Sequence, residues 1–262
     1  MSKDSFGAPA DFGAVASALD CPQASVMHLN RIFCLGSLGI ILLLTGCGTT
    51  VFQSSFDSNA VGAAPSANQS TGTVAVSGAP GSVVIVSAPP NATGNWAQIQ
   101  RVAGPETPVS TMQCNFSQPP QNGTYSLTAV LLIPTGSGLA TVEFDTSAQA
   151  GPPSIGFLHL DFGDFPTQSG TVKNTVRIND SGPIFGSFPR DRPFTLSVNL
   201  QIGPSSANAH ISLVGAGGLA SGAQDLNVTP LSLAQQVGEV KFYMGFPWSG
   251  SFDATNIIVT RK

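Results

Sequence analysis

The chain has 262 residues, 42% of them hydrophobic and only 9% charged, with a formal net charge of −4. A charged fraction so far below the usual quarter, together with 29 glycines and 20 prolines, describes the neutral polar surface common among exported β-proteins. The acid excess and the lack of a basic stripe argue against nucleic acid as a partner.

Residues 1–26 show no apolar period and carry Asp4, Asp11 and Asp20, so they read as an extension ahead of a second start at Met27. Met27 to Arg31 is short and basic, and Ile32 to Gly46 is free of charge. As a helix those apolar residues rise about 22 Å, less than the roughly 30 Å of a bilayer core. No Lys or Arg cluster follows them to halt transfer, so 27–46 reads as a secretory signal peptide. Its end, Leu44-Thr45-Gly46-Cys47, resembles the lipobox of bacterial lipoproteins. That resemblance implies cleavage between Gly46 and Cys47, acylation of the Cys47 thiol (diacylglycerol, with palmitate-type chains) and a lipid-anchored protein of the cell envelope. Gly48, where inner-membrane retention uses Asp, implies the outer membrane. An ordinary signal peptide, or a buried strand ending in cysteine, is the plainer alternative.

Cys21 and Cys34 precede the cut and Cys47 would be acylated, which leaves Cys114 without a disulfide partner. It is expected to be a small buried hydrophobe. Residues 47–69 read as the lipidated cysteine and a Ser-, Ala- and Asn-rich tether running into the domain, and 70–262 as one β-sandwich domain.

Short alternating or β-branched runs between Gly, Pro and Asn breaks predict strands at 73–77, 82–87, 97–102, 124–133, 139–145, 155–161, 171–179, 194–202, 209–214, 239–244 and 254–260. The one helix candidate is 230–237. So many strands without intervening helices predict an all-β antiparallel sandwich or barrel. In "FTLSVNLQI" the residues Phe194, Leu196, Val198, Leu200 and Ile202 point one way; Thr195, Ser197, Asn199 and Gln201 point the other. That uncharged polar face is either solvated or a platform for a neutral polar ligand.

The closing segment, with Phe252, Asp253, Asn256, Ile257 and Val259, resembles the final strand of concanavalin A-like lectin and glucanase jelly rolls, the laminin G-like group included. The opening Phe56-Asp57, with Gly62 and Pro65, resembles their first segment. The resemblance implies a two-sheet jelly-roll sandwich and a protein that binds glycans, hydrolyses them or mediates adhesion.

Residues for chemistry are sparse. Glu143 and Asp145 share one strand face, but the third carboxylate of the laminarinase-type pattern is missing from that strand, where Ser147 and Ala148 stand. His159 and Asp161 share a face with Asp164 just beyond, a set that offers an acid/base pair or oxygen ligands for calcium, although His suits calcium poorly. No Cys/His metal spacing, nucleophile elbow or phosphate loop is present, so no cofactor is expected. Trp248, in the loop "FPWSG", is the preferred ligand contact through stacking on a sugar, followed by Trp96 and Tyr243. The reading that results is a lipid-anchored, non-catalytic module for polysaccharide binding or adhesion, with Trp248 and the neutral sheet face as its platform. The alternatives are an unusual glycoside hydrolase or lyase using Glu143, Asp145 or Asp161, and a structural lipoprotein with a protein partner.

Overall fold

The computed structural model describes residues 48–262 other than 68–70, 91, 105–106, 147–155, 181, 204–205, 219, 229–236 and 246. Gly46, Cys47 and the signal segment therefore lie outside the described residues, as does the helix candidate save Val237.

Among the described residues fifteen strands form two sheets. They are β1 (Thr49–Ser54), β2 (Thr73–Ser77), β3 (Val83–Ser87), β4 (Asn95–Arg101), β5 (Ser110–Asn115), β6 (Gly123–Leu132), β7 (Ala140–Thr146), β8 (Gly156–Thr167), β9 (Gly170–Ile178), β10 (Ile184–Phe185), β11 (Phe194–Ile202), β12 (Ala207–Gly215), β13 (Ala223–Val228), β14 (Val237–Met244) and β15 (Gly250–Arg261). Sheet A runs β13-β12-β11-β6-β15-β4-β3, with β1 also on β15; sheet B runs β10-β9-β8-β7-β14-β5-β2. The strand pairs are antiparallel throughout. The expected two-sheet sandwich is thus the observed one.

Alternation builds the core. From β11 the residues Phe194, Leu196, Val198, Leu200 and Ile202 are buried, and from β7, β8 and β14 Val142, Phe144, Leu158, Leu160, Val240 and Phe242 meet them in a single apolar cluster. Each such side chain contributes roughly 1.5–3 kcal/mol on leaving water. Cys114 faces into this cluster from β5, where burial pushes its thiol far up and keeps it unreactive. The closing strand needs a correction of phase, because Phe252 and Ala254 point inward and so do Ile257 and Val259. A register shift between Thr255 and Ile258 supplies it, with Asn256 in the left-handed region at φ 48°. Asparagine tolerates that conformation better than most residues, which gives the Asn of the closing motif its physical reason.

Three expectations are corrected. The domain does not begin near residue 70: β1 pairs with β15 from Thr49↔Arg261 to Ser54↔Ile257, and Val51, Phe52 and Phe56 are core residues. The 47–69 stretch is therefore largely sandwich rather than tether, and Gly48 alone separates Cys47 from the first strand. Four strands absent from the expected set, β1, β5, β10 and β13, are present, and β8 extends six residues beyond Asp161 to Thr167. Among the described residues no helix is long and apolar enough to cross a membrane.

Candidate ligand face on the second sheet

With Val142, Phe144, Leu158, Leu160, Val240 and Phe242 turned inward, alternation turns Thr141, Glu143, Asp145, His159, Asp161, Glu239, Lys241 and Tyr243 to the outer face of sheet B. Register then lines them up. Gln113, Lys241, Glu143 and His159 are successive neighbours across β5, β14, β7 and β8. The next row is Thr111, Tyr243, Thr141, Asp161 and Arg177, and on the other side stand Asn115, Glu239 and Asp145. Directly opposed side chains lie about 5 Å apart at Cβ, so these rows form continuous polar strips.

The Asp145–Glu239 pair is fully buried and held by one cation. Lys241 Nζ bonds Asp145 Oδ2 and lies 3.4 Å from Glu239 Oε1, while Gln113 Nε2 donates to Glu239 Oε2 at 2.5 Å. Burial raises the Glu239 pKa, and the bonds from Gln113 and Lys241 only partly offset it. For Lys241, burial works to lower the pKa, but the Asp145 bond and the charges of Asp145, Glu239 and Glu143 prevail and raise it. The lysine thus stays charged and balances a pair of carboxylates that burial alone would make very costly.

Asp161 is similarly committed. Its Oδ1 accepts from Thr141 Oγ1 at 2.8 Å and its Oδ2 from Arg177 at 3.0 Å, with His159 Nε2 at 3.5 Å. Burial would raise its pKa, yet these donors outweigh burial and lower it. Burial likewise works against protonated His159, but Asp161, Asp180 and Glu143 overcome it and raise the His159 pKa. Glu143 is different, being only half-buried. Burial raises its pKa, Tyr243 donates a hydrogen bond that lowers it, and Asp145 raises it further.

His159 Nε2 and one oxygen each of Asp161 and Asp180 lie within 4.8 Å of one another. The set does not fit calcium, which takes six to eight oxygen ligands, because the Arg177 cation already occupies Asp161. Asp164 stands apart from this group: its Oδ1 accepts the Asn174 N–H at 2.9 Å and pairs with Arg190 at 3.5 Å.

The aromatic expectations separate. Tyr243 sits within the polar strips. Trp96 is only 2% exposed and donates its indole N–H to the Thr93 carbonyl at 3.1 Å, so it is buried and offers no face to a ligand, which corrects its assignment as a contact. Trp248 is 44% exposed, and its carbonyl accepts from buried Arg101 at 2.5 Å. It does not join the neutral face of β11. Thr195, the nearest residue of that face, aligns through Val130 with Thr255, about 17 Å along β15 from the Gly250 that Trp248 precedes, and Asn199 aligns with Thr260, about twice as far. The expected single platform is therefore two separate places.

Among the expected catalytic residues the structure brings Glu143, Asp145 and Asp161 onto one face. It also shows what inspection of one strand could not: a further carboxylate, Glu239, enters opposite Asp145 from β14. The signal was available as the alternation of Glu239, Lys241 and Tyr243 with Val240, Phe242 and Met244.

No protein-family model matches the chain, and no curated protein sequence matches it. Solved structures do. The catalytic domain of a glycoside hydrolase family 131 protein from Coprinopsis cinerea superposes with a TM-score of 0.50 at 11% identity, over 82% of this chain and 95% of that one. A carbohydrate esterase of the Shiga toxin-encoding bacteriophage phi24B gives a TM-score of 0.50 at 12% identity, over 82% and 99%. Lectin II from Ulex europaeus gives 0.41 at 10% identity, over 71% and 92%. The fold is the jelly roll of concanavalin A-like lectins and glucanases.

Proposed function

We propose that this chain is an exported, lipid-anchored protein that binds carbohydrate on the outer face of sheet B. The observation that carries the reading is the Gln113–Lys241–Glu143–His159 row, flanked by Tyr243 and Arg177, on neighbouring strands. Such strips offer donors and acceptors at sheet spacing, as a chain of sugar hydroxyls requires. The names of two of the superposing structures, a glycoside hydrolase and a carbohydrate esterase, support sugar as the ligand class.

Binding is favoured over cleavage by what the carboxylates already do. A retaining hydrolase needs two carboxyl groups about 5–5.5 Å apart, one free to attack. Glu143 is accessible enough to donate a proton, but its strand neighbour Asp145, about 7 Å along the strand, is buried and bonded to Lys241. Asp161 is buried and bonded to Thr141 and Arg177. Neither can attack a sugar without giving up those partners.

The anchor follows from the lipobox resemblance at Cys47. With only Gly48 before β1, acylation there holds the sandwich directly against the bilayer, beside Arg261 and Lys262. Two measurements test the proposal. Mass spectrometry of membrane-extracted protein is expected to show diacylglycerol on Cys47, and Cys47→Ser to release the protein into the soluble fraction. Retention on immobilised glycans is expected to fall at least tenfold in Tyr243→Phe/Arg177→Ala. Glycan turnover abolished by Glu143→Gln would replace binding with catalysis.

A further inference from the structure

We propose that β11, β12 and β13 form a second binding site on the opposite side of the sandwich, for a neutral, hydroxyl-rich glycan segment. A hollow of about 450 Å³ lies there on the outer face of sheet A, within the usual size of small-ligand sites. Register builds it from two rows: Asn199, His210 and Asp225 in one, Gln201, Asn208 and Asn227 in the other.

The chemistry of these groups selects the ligand. Four of the six are amides, each presenting a donor and an acceptor from one side chain, which matches a hydroxyl that both gives and takes a hydrogen bond. The two ionisable groups face one another, His210 Nδ1 lying 2.7 Å from Asp225 Oδ1. Among the described residues no Lys or Arg lines the hollow, so an anionic ligand finds no counter-charge there and meets Asp225 instead. An apolar ligand would strip water from four amides without replacing it.

The position in the sheet argues further that these residues serve something other than the fold. β13 is the edge of sheet A, and exposed edges are ordinarily guarded by lysine, proline or clustered charge. Here the edge strand AQDLNV carries one charge, Asp225, which His210 already faces. The side chains that line the rows are solvent-exposed, so they are free to meet a ligand. This site is independent of the sheet B face, because the two outer faces of a sandwich point in opposite directions. A molecule with both would hold two glycan segments at once.

The test is affinity electrophoresis of the mature domain through gels containing laminarin, xyloglucan or galactomannan as neutral probes and polygalacturonate as the anionic one. At least one neutral polymer is expected to retard the protein. Asn199→Ala/Asn208→Ala/Asn227→Ala is expected to weaken that retardation at least tenfold with an unchanged melting temperature, and Glu143→Gln/Tyr243→Phe to leave a component that the triple variant removes. Asn208→Lys supplies a second variant with the same expected loss. Retardation by none of the neutral polymers overturns the proposal. So does equal retardation of the triple variant, or preference for polygalacturonate. A dimer that the triple variant dissolves, without glycan retention, also overturns it and assigns the face to self-association.

Discussion

The two outer faces of this sandwich obey the same alternation and carry opposite electrostatics. On sheet B, charged groups sink to half or full burial and are knitted together: Lys241 to Asp145 and Glu239, Arg177 to Asp161. On sheet A, near β13, uncharged amides stand in solvent and the His210–Asp225 contact is exposed. The contrast separates two roles that polar side chains take on a sheet. Buried charges are committed to the fold and bind only with what they leave exposed, whereas exposed amides owe the fold little and are available to a partner.

The sharpest way to break the comparison is Lys241→Met. It keeps the length of the stem and removes the cation from two fully buried carboxylates. A broken buried ion pair destabilises by about 3–5 kcal/mol, so urea denaturation at neutral pH should show a loss of that order. The loss should shrink as the pH falls into the carboxylate range, where Glu239, its proton affinity already raised by burial, is neutralised. A loss under about 1 kcal/mol would mean that the network is a solvated surface cluster.

This network also marks the limit of what the sequence made legible. The alternation of 194–202 located β11 to the residue, and the Phe-Asp-x-x-Asn-Ile-x-Val ending foretold the closing strand but not the bulge at Asn256. Glu143 and Asp145 could be placed on one face because a strand's period is local. Glu239 could not be placed beside them, since that pairing is a matter of register between strands nearly a hundred residues apart. β1 was hidden for a different reason. Only Val51 and Phe52 in TTVFQS are apolar, and both are buried because the register shifts between Thr50 and Phe52, leaving Val51 as the extra residue. β13, in AQDLNV, has little β-branching and is held by its neighbour rather than by its own preference.

A smaller effect sharpens the comparison from the other side, for sheet A also holds one buried acid. Asp253 is 5% exposed and accepts from Gln98 Nε2 at 3.1 Å. Burial raises its pKa to about 6 from 3.8, a rise that the Gln98 bond only moderates. The folded protein therefore holds this proton more tightly than the unfolded chain does. Its contribution to stability falls as the pH rises from about 4 to about 6 and is flat above, a total of about 2–3 kcal/mol. Asp253→Asn keeps the shape and an acceptor for Gln98 while removing the charge. It should be more stable than the parent by about 2 kcal/mol at pH 7 and indistinguishable at pH 4. Equal differences at both pH values would show that the effect lies in packing rather than ionisation.

The smallest expected effect is the most informative about the amide face. Asn199, Gln201, Asn208 and Asn227 are exposed and lie outside the apolar core. Surface changes away from caps, cores and networks ordinarily stay within about 0.5 kcal/mol. Alanine at each of the four should therefore leave the midpoint of urea unfolding nearly unchanged, and the four effects should add, since none shares a buried partner. A loss above about 1 kcal/mol at any of them would show that the amide rows brace the edge strand, and the contrast between a face committed to the fold and a face free for a ligand would no longer hold. Small, additive effects would mean that chain stability does not account for four amides aligned across three strands.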